Sequence, residues 1–136
     1  MSTTLDTRQP IRITVASALL LAAGALHAQA NGLSRTIVGR ADVSVPGREA
    51  IVARVEIAAG ARAARHTHPG DEISYVAEGE VELIVDGQAP RIVKAGESFV
   101  IPAGTVHEAH NPGAVPVKLV DVYVLEKGKP LATPAP

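Results

Sequence analysis

His66 and His68, separated by a single residue, and Glu72, shortly after a Pro69-Gly70 turn, have the types and spacing of metal ligands. On an extended strand, residues two apart project from one face, roughly 6.6 Å apart along the chain. Both imidazoles can then lean toward one ion, and Glu72 can close on it. Taken alone, the same spacing also suits a surface loop, so the elements that carry these residues must decide.

Those elements read as strands. Ile51, Ala53, Val55 and Ile57 alternate with Val52, Arg54 and Glu56, the period of a half-buried strand. After the histidines, Glu72, Ser74 and Val76 share the face turned toward a bound ion. Val81, Leu83 and Val85 form the next alternating strand, and Asp86-Gly87 is a strong hairpin signal. Residues 98–101 form a short apolar run that reads as a strand covered on both faces. Residues 106–110 and 117–125 supply two further strands, and 36–38 and 43–45 two short peripheral ones. No sustained helical period interrupts this pattern after residue 30. The expected class is all-β, a sandwich or barrel.

A second cluster, at 96–111, complements the first. Gly96, Pro102, Gly104, His107 and Asn111 are spaced as in the second motif of the cupins, and Gly60, His66, His68, Glu72 and Gly79 as in the first. The chain therefore resembles the cupin superfamily, in its single-domain, quercetin-dioxygenase-like branch, over residues 60–111. The resemblance implies a single-domain cupin jelly-roll barrel with an ion bound inside by His66, His68, Glu72 and His107. Three imidazoles and one carboxylate suit a divalent transition metal, iron, manganese, nickel, copper or zinc, whereas the lack of thiolates argues against a closed structural zinc site. An octahedral ion held by four protein ligands keeps two positions open.

Composition bounds the rest. Two arginines, Arg8 and Arg12, precede an apolar run at 13–26 that ends in Ala28-Gln29-Ala30, the pattern of a secretory signal peptide cleaved after Ala30. The expected organisation is 1–30 signal peptide, 31–126 cupin β-barrel domain and 127–136 a disordered, proline-bearing tail. Export to a bacterial periplasm, or secretion, follows, with no membrane association after cleavage. The chain has no cysteine, so packing, metal or subunit association must stabilise it in an oxidising compartment. A formal net charge of −1 and an aromatic content of 2% speak against nucleic acid as a partner.

Among the remaining residues, His110 falls on the opposite side of its strand from His107, suited to solvent or to supporting contacts. Ser74, Val76, Phe99 and Ala109 either line a pocket or pack the core. Tyr75 and Tyr123 pack between strands or at a subunit interface. No strand offers an obvious second carboxylate beside the ion, so the one acid assigned a possible catalytic role, as a base, is Glu72 itself. Mechanisms needing an additional acid or base are thereby disfavoured. The leading function is a dioxygenase-type metalloenzyme acting on a small molecule; the competing one is a non-catalytic module that binds a metal or small ligand. An exposed sheet edge among the early strands favours a homodimer.

Overall fold

The structure, a computed structural model, describes residues 28–136, so the expected signal peptide lies almost wholly outside the described residues. Eleven strands run in chain order: β1 Ala28–Ala30, β2 Leu33–Asp42, β3 Arg48–Ile57, β4 Arg62–Thr67, β5 Gly70–Glu78, β6 Glu80–Val85, β7 Arg91–Lys94, β8 Ser98–Ile101, β9 His107–His110, β10 Val117–Glu126 and β11 Thr133–Pro134. Among the described residues there is no helix. The strands form two antiparallel sheets, ordered β1-β2-β3-β10-β5-β8 and β11-β4-β9-β6-β7. The all-β jelly-roll expectation holds.

Period-two alternation builds the core. Ile51, Ala53, Val55 and Ile57 on β3 face Val117, Leu119, Asp121 and Tyr123 on β10 in a continuous register, and β10 pairs in turn with β5. From the second sheet, Val81, Leu83 and Val85 enter the same interior. Each such aliphatic side chain contributes about 1.5–3 kcal/mol when taken fully out of water.

Backbone chemistry sets the turns that aim the site. Gly70 lies between His68 and Glu72, and a Cβ there would overlap the Val124 carbonyl oxygen of β10. Only glycine lets β5 pair with β10 at this point, so the residue read as part of a turn opens the strand that carries Glu72. Gly79 joins β5 to β6 with φ of 79°, a left-handed conformation that glycine adopts without strain.

Three expectations are corrected. The segment from 127 onward is not a disordered tail: β11 pairs with β4, matching Thr133 to Thr67 and Pro134 to His66, and Ala135 N–H donates to Arg65 O at 3.0 Å. The two peripheral strands at 36–38 and 43–45 are instead one ten-residue strand, β2, which ends at Asp42. Strand β8 is covered on one face only, with Phe99 and Ile101 buried and Val100 60% exposed, because the outer face of its sheet has no layer above it, so that Ile73 and Tyr75 on the neighbouring β5 are exposed as well.

Candidate metal centre

The four ligands assigned from the motifs come together at one end of the barrel interior. His66 and His68 arrive on and just after β4, Glu72 on β5 and His107 on β9; one ligand atom from each lies within 4.8 Å of the others. Register explains the convergence: β4 pairs with β9 so that His66 stands opposite His107, and Glu72 projects from the facing sheet. His68, Glu72 and His107 are buried, while His66 is partly exposed at the mouth.

The hydrogen bonds fix which ring nitrogens face inward. Each Nδ1 sits on a backbone carbonyl: His66 on Ala64 O at 2.6 Å, His68 on Leu131 O at 2.5 Å and His107 on Thr105 O at 3.0 Å. A carbonyl only accepts, so each Nδ1 carries the proton and donates it. The Nε2 lone pairs of the neutral rings then point at one another: those of His66 and His68 are 3.1 Å apart, and those of His68 and His107 lie 3.1 and 2.9 Å from Glu72 Oε2. Glu72 Oε2 is accordingly a buried acceptor with no donor, whereas Ser74 Oγ donates to Oε1 at 3.0 Å and holds the carboxylate in place. With all three rings neutral, four lone pairs converge without a proton between them, which fits a cation, and a nitrogen-rich set with one carboxylate suits a divalent transition metal.

Electrostatics follow from this crowding. Burial, reinforced by the neighbouring His107, lowers the His66 pKa to about 4, keeping the ring neutral and ready to ligate. Burial pushes Glu72 up, but the adjoining His107 and His68 outweigh it and hold the carboxyl well below the usual range. Burial pulls His107 down, yet its bond to Glu72 wins and raises it. A proton on His107 Nε2 is therefore the natural substitute for an ion, and binding a metal must release it.

Other anticipated residues divide between the site and its surroundings. Phe99 and Ala109 line the small cavity beside the ligands, Ser74 orients Glu72, and Val76 is plain core. His110 is half-buried and pairs with Glu82 at 3.0 Å, away from the ligands. Tyr75 is 49% exposed on the outer face, and Tyr123 is fully buried with its ring 4.8 Å from that of His68.

Three participants escaped the sequence reading. The Leu131 carbonyl, which orients His68, belongs to the segment expected to be disordered. Arg35 lines the cavity from β2. Asp121 on β10 is 3% exposed, lines the same cavity and stands opposite Ser74, so a second carboxylate is present beside the ligands, contrary to expectation. It accepts from Tyr123 OH at 2.9 Å, and burial together with the charge of Glu72 raises its pKa to about 6. The alternation Val117, Leu119, Asp121, Tyr123, Leu125 was a usable signal, since it puts Asp121 in phase with the buried face.

A two-sheet β-barrel that gathers three imidazoles and one carboxylate inside one end defines a class of metal-ligating barrel. The chain belongs to the cupin family, whose Cupin domain profile matches residues 53–123. It is 31% identical over 99 residues to germin-like protein subfamily 2 member 2 of Arabidopsis thaliana, covering 67% of this chain and 45% of that protein. It is 35% identical over 98 residues to nectarin-1 of Nicotiana langsdorffii x Nicotiana sanderae, covering 65% and 42%. The chain thus spans less than half the length of these curated relatives. Among solved structures it resembles recombinant oxalate oxidase in complex with glycolate, 29% identical with a TM-score of 0.63 over 87% of this chain and 62% of that one. It also resembles an RmlC-like cupin from Shewanella frigidimarina, 27% identical with a TM-score of 0.59 over 73% and 81%.

Proposed function

We propose that this protein is an exported, metal-dependent cupin of oxidoreductase type, acting on a small molecule that binds beside the ion. The observation that carries this reading is the convergence of three Nε2 lone pairs and Glu72 Oε2 beside a cavity that His66, Glu72 and His107 line. The likeness to oxalate oxidase supports an enzymatic cupin, and the dioxygenase-type reaction is our specific choice within it. His66, His68, Glu72 and His107 hold the ion, which when bound supplies Lewis acidity and, for a redox-active metal, electron transfer.

The chain's own groups supply the rest. The backbone carbonyls of Ala64, Thr105 and Leu131 keep the rings oriented, and Ser74 fixes the carboxylate. Glu72, held ionised by two histidines, is a weak base; Asp121, whose Oδ1 is left without a partner while the neighbouring Ser74 hydroxyl donates to Glu72, is better placed to take a proton from a molecule in the cavity. Protein loaded in turn with iron, manganese, nickel and copper is expected to consume oxygen with at least one of a panel of flavonols, catechols, diketones and small carboxylic acids. No consumption with any pairing sinks the enzymatic reading.

The second reading, a non-catalytic binding module, is favoured by the small cavity, whose free volume of about 20 Å³ holds roughly one water. Tight binding in calorimetry without turnover would select it. Export is proposed from the composition of residues 1–30; among the described residues, no helix is long and apolar enough to cross a membrane. A homodimer is proposed from the apolar outer face of the β8-β5-β10 sheet, where Ile73, Tyr75, Val100 and Val120 are exposed. Light scattering that finds only monomer rejects it.

A further inference from the structure

The cavity has a second wall that metal ligation does not use. Arg35 pairs in register with the inward-facing Val55, so its side chain enters the barrel from β2. Its guanidinium carbon lies 5.8 Å from the centroid of the Tyr123 ring, and the hydroxyl of that tyrosine donates to Asp121 Oδ2. Arg35 and Asp121 both line the cavity that also touches His66, Glu72 and His107.

Each presents one buried atom without a hydrogen-bond partner: Arg35 Nε, which can only donate, and ionised Asp121 Oδ1, which can only accept. Buried polar atoms in folded proteins are normally paired, and unpaired ones gather where a ligand completes them. Arg35 Nε calls for an anionic acceptor, and a carboxylate is the planar group that a guanidinium grips best. Asp121 Oδ1 calls for a donor, such as a hydroxyl. A divalent ion and Arg35, set against two carboxylates, leave the cavity positive overall, which favours an anion.

Size and access narrow the choice. A free volume of about 20 Å³ holds roughly one water, so a molecule of even a few heavy atoms enters only as the walls give way. Of the lining residues, Arg35, His66 and Ala109 are only partly buried and so mark the mouth. Arg35 is the longest and most flexible of the three.

We propose that Arg35 and Asp121 form a substrate subsite facing the metal ligands, specific for a small hydroxy-carboxylate. Arg35 Nε donates to its carboxylate, and Asp121 Oδ1 accepts from its hydroxyl. The proposal rests on the metal-centre reading and names the substrate class of that site. Both residues bind and orient; neither is required for ion uptake.

Cobalt(II)-loaded protein, whose visible spectrum reports ligands entering the ion's surroundings, is titrated with glycolate, with acetate and with ethylene glycol. Wild type is expected to bind glycolate at least tenfold more tightly than either. Arg35→Gln is expected to weaken glycolate about 10- to 100-fold, and Arg35→Lys less. Asp121→Asn is expected to narrow the preference for glycolate over acetate, with cobalt stoichiometry unchanged in every variant. Glycolate affinity unaltered in Arg35→Gln and Asp121→Asn overturns the subsite, because chelation by the ion alone then explains binding. Failure of wild type to take up cobalt strikes the metal-centre reading, and cobalt uptake with no response to glycolate strikes this inference only.

Discussion

The two ends of the barrel interior are built by the same strands and differ in almost every other respect. Along β5 the inward face runs Glu72, Ser74, Val76, and along β10 it runs Tyr123, Asp121, Leu119, matched residue to residue by the register. One end is polar and the other aliphatic, completed by Val81, Leu83 and Val117. All three buried side-chain atoms lacking a hydrogen-bond partner among the described residues, Arg35 Nε, Glu72 Oε2 and Asp121 Oδ1, line the cavity at the polar end. Alternation alone puts a side chain inside; the chemistry of that side chain decides whether the position stabilises the fold or holds polar groups ready for a ligand. The aliphatic end is therefore the fold's anchor, and the polar end its destabilised, functional region.

The sharpest way to separate the two ends is to damage each in turn. His107→Ala is expected to lower metal affinity by more than the ~100-fold that loss of an outer-shell partner costs, with little change in apoprotein stability. Metal content after dialysis, read beside the unfolding midpoint, checks both halves. Leu83→Ala should behave in the opposite way, destabilising the fold by about 2–5 kcal/mol in denaturant melts while the surviving folded protein keeps one ion per chain. A Leu83→Ala protein that loses its metal while still folded would erase the distinction between the ends.

Asp121 tests the destabilisation directly. Its pKa is raised from 3.8 in the unfolded chain to about 6 in the fold, so the proton-bound form is favoured by folding. The stability this contributes is fully present below pH 3.8 and is lost as pH rises through 6. At pH 7.5 the ionised group then costs up to about 3 kcal/mol, at about 1.4 kcal/mol per pKa unit. Asp121→Asn, which retains an acceptor for Tyr123 OH, is expected to stabilise the metal-free protein by up to that amount at pH 7.5. The gain should shrink as pH falls through the same window. An equal gain at pH 3.5 would show that packing, not charge burial, is responsible.

A smaller effect is expected from the strap formed by the last residues. Ending the chain at Pro130 removes the Leu131 carbonyl that fixes His68 and the strand β11 that pairs beside His66. Metal affinity should fall about 10- to 100-fold, in the range typical of outer-shell partners, and the core should lose only the packing of the partly buried Leu131 side chain. Isothermal titration of the truncated chain decides this, an unchanged affinity meaning that the strap does not position the ligand.

The sequence made the four ligands legible because each is a side chain of distinctive chemistry at a fixed spacing, and made β3 legible because only one of its faces is apolar. The parts that were not legible failed for identifiable physical reasons. On β10 the outward residues Val120, Val122 and Val124 are as apolar as the inward ones, so the pattern did not say which face held Asp121. Arg35 enters the barrel because of where β2 pairs, a long-range register that local composition does not encode. Leu131 acts through its backbone carbonyl, which every residue possesses, and its ordering depends on pairing with β4 some sixty residues away. The run at 98–101 looked doubly buried because its residues are apolar, whereas no layer covers the outer face of its sheet, which leaves Val100 outside.

The central claim, that the polar end is completed by a divalent transition metal on His66, His68, Glu72 and His107, is tested most directly by one thermal melt. Metal-free protein is compared with the same protein at about 100 times the dissociation constant of manganese or cobalt, where binding adds about 2.7 kcal/mol to folding. For a domain of this size that corresponds to a rise in Tm of roughly 10–20 °C, abolished by His107→Ala. A melting temperature that stays the same with metal, and the same again in chelator, would contradict the account.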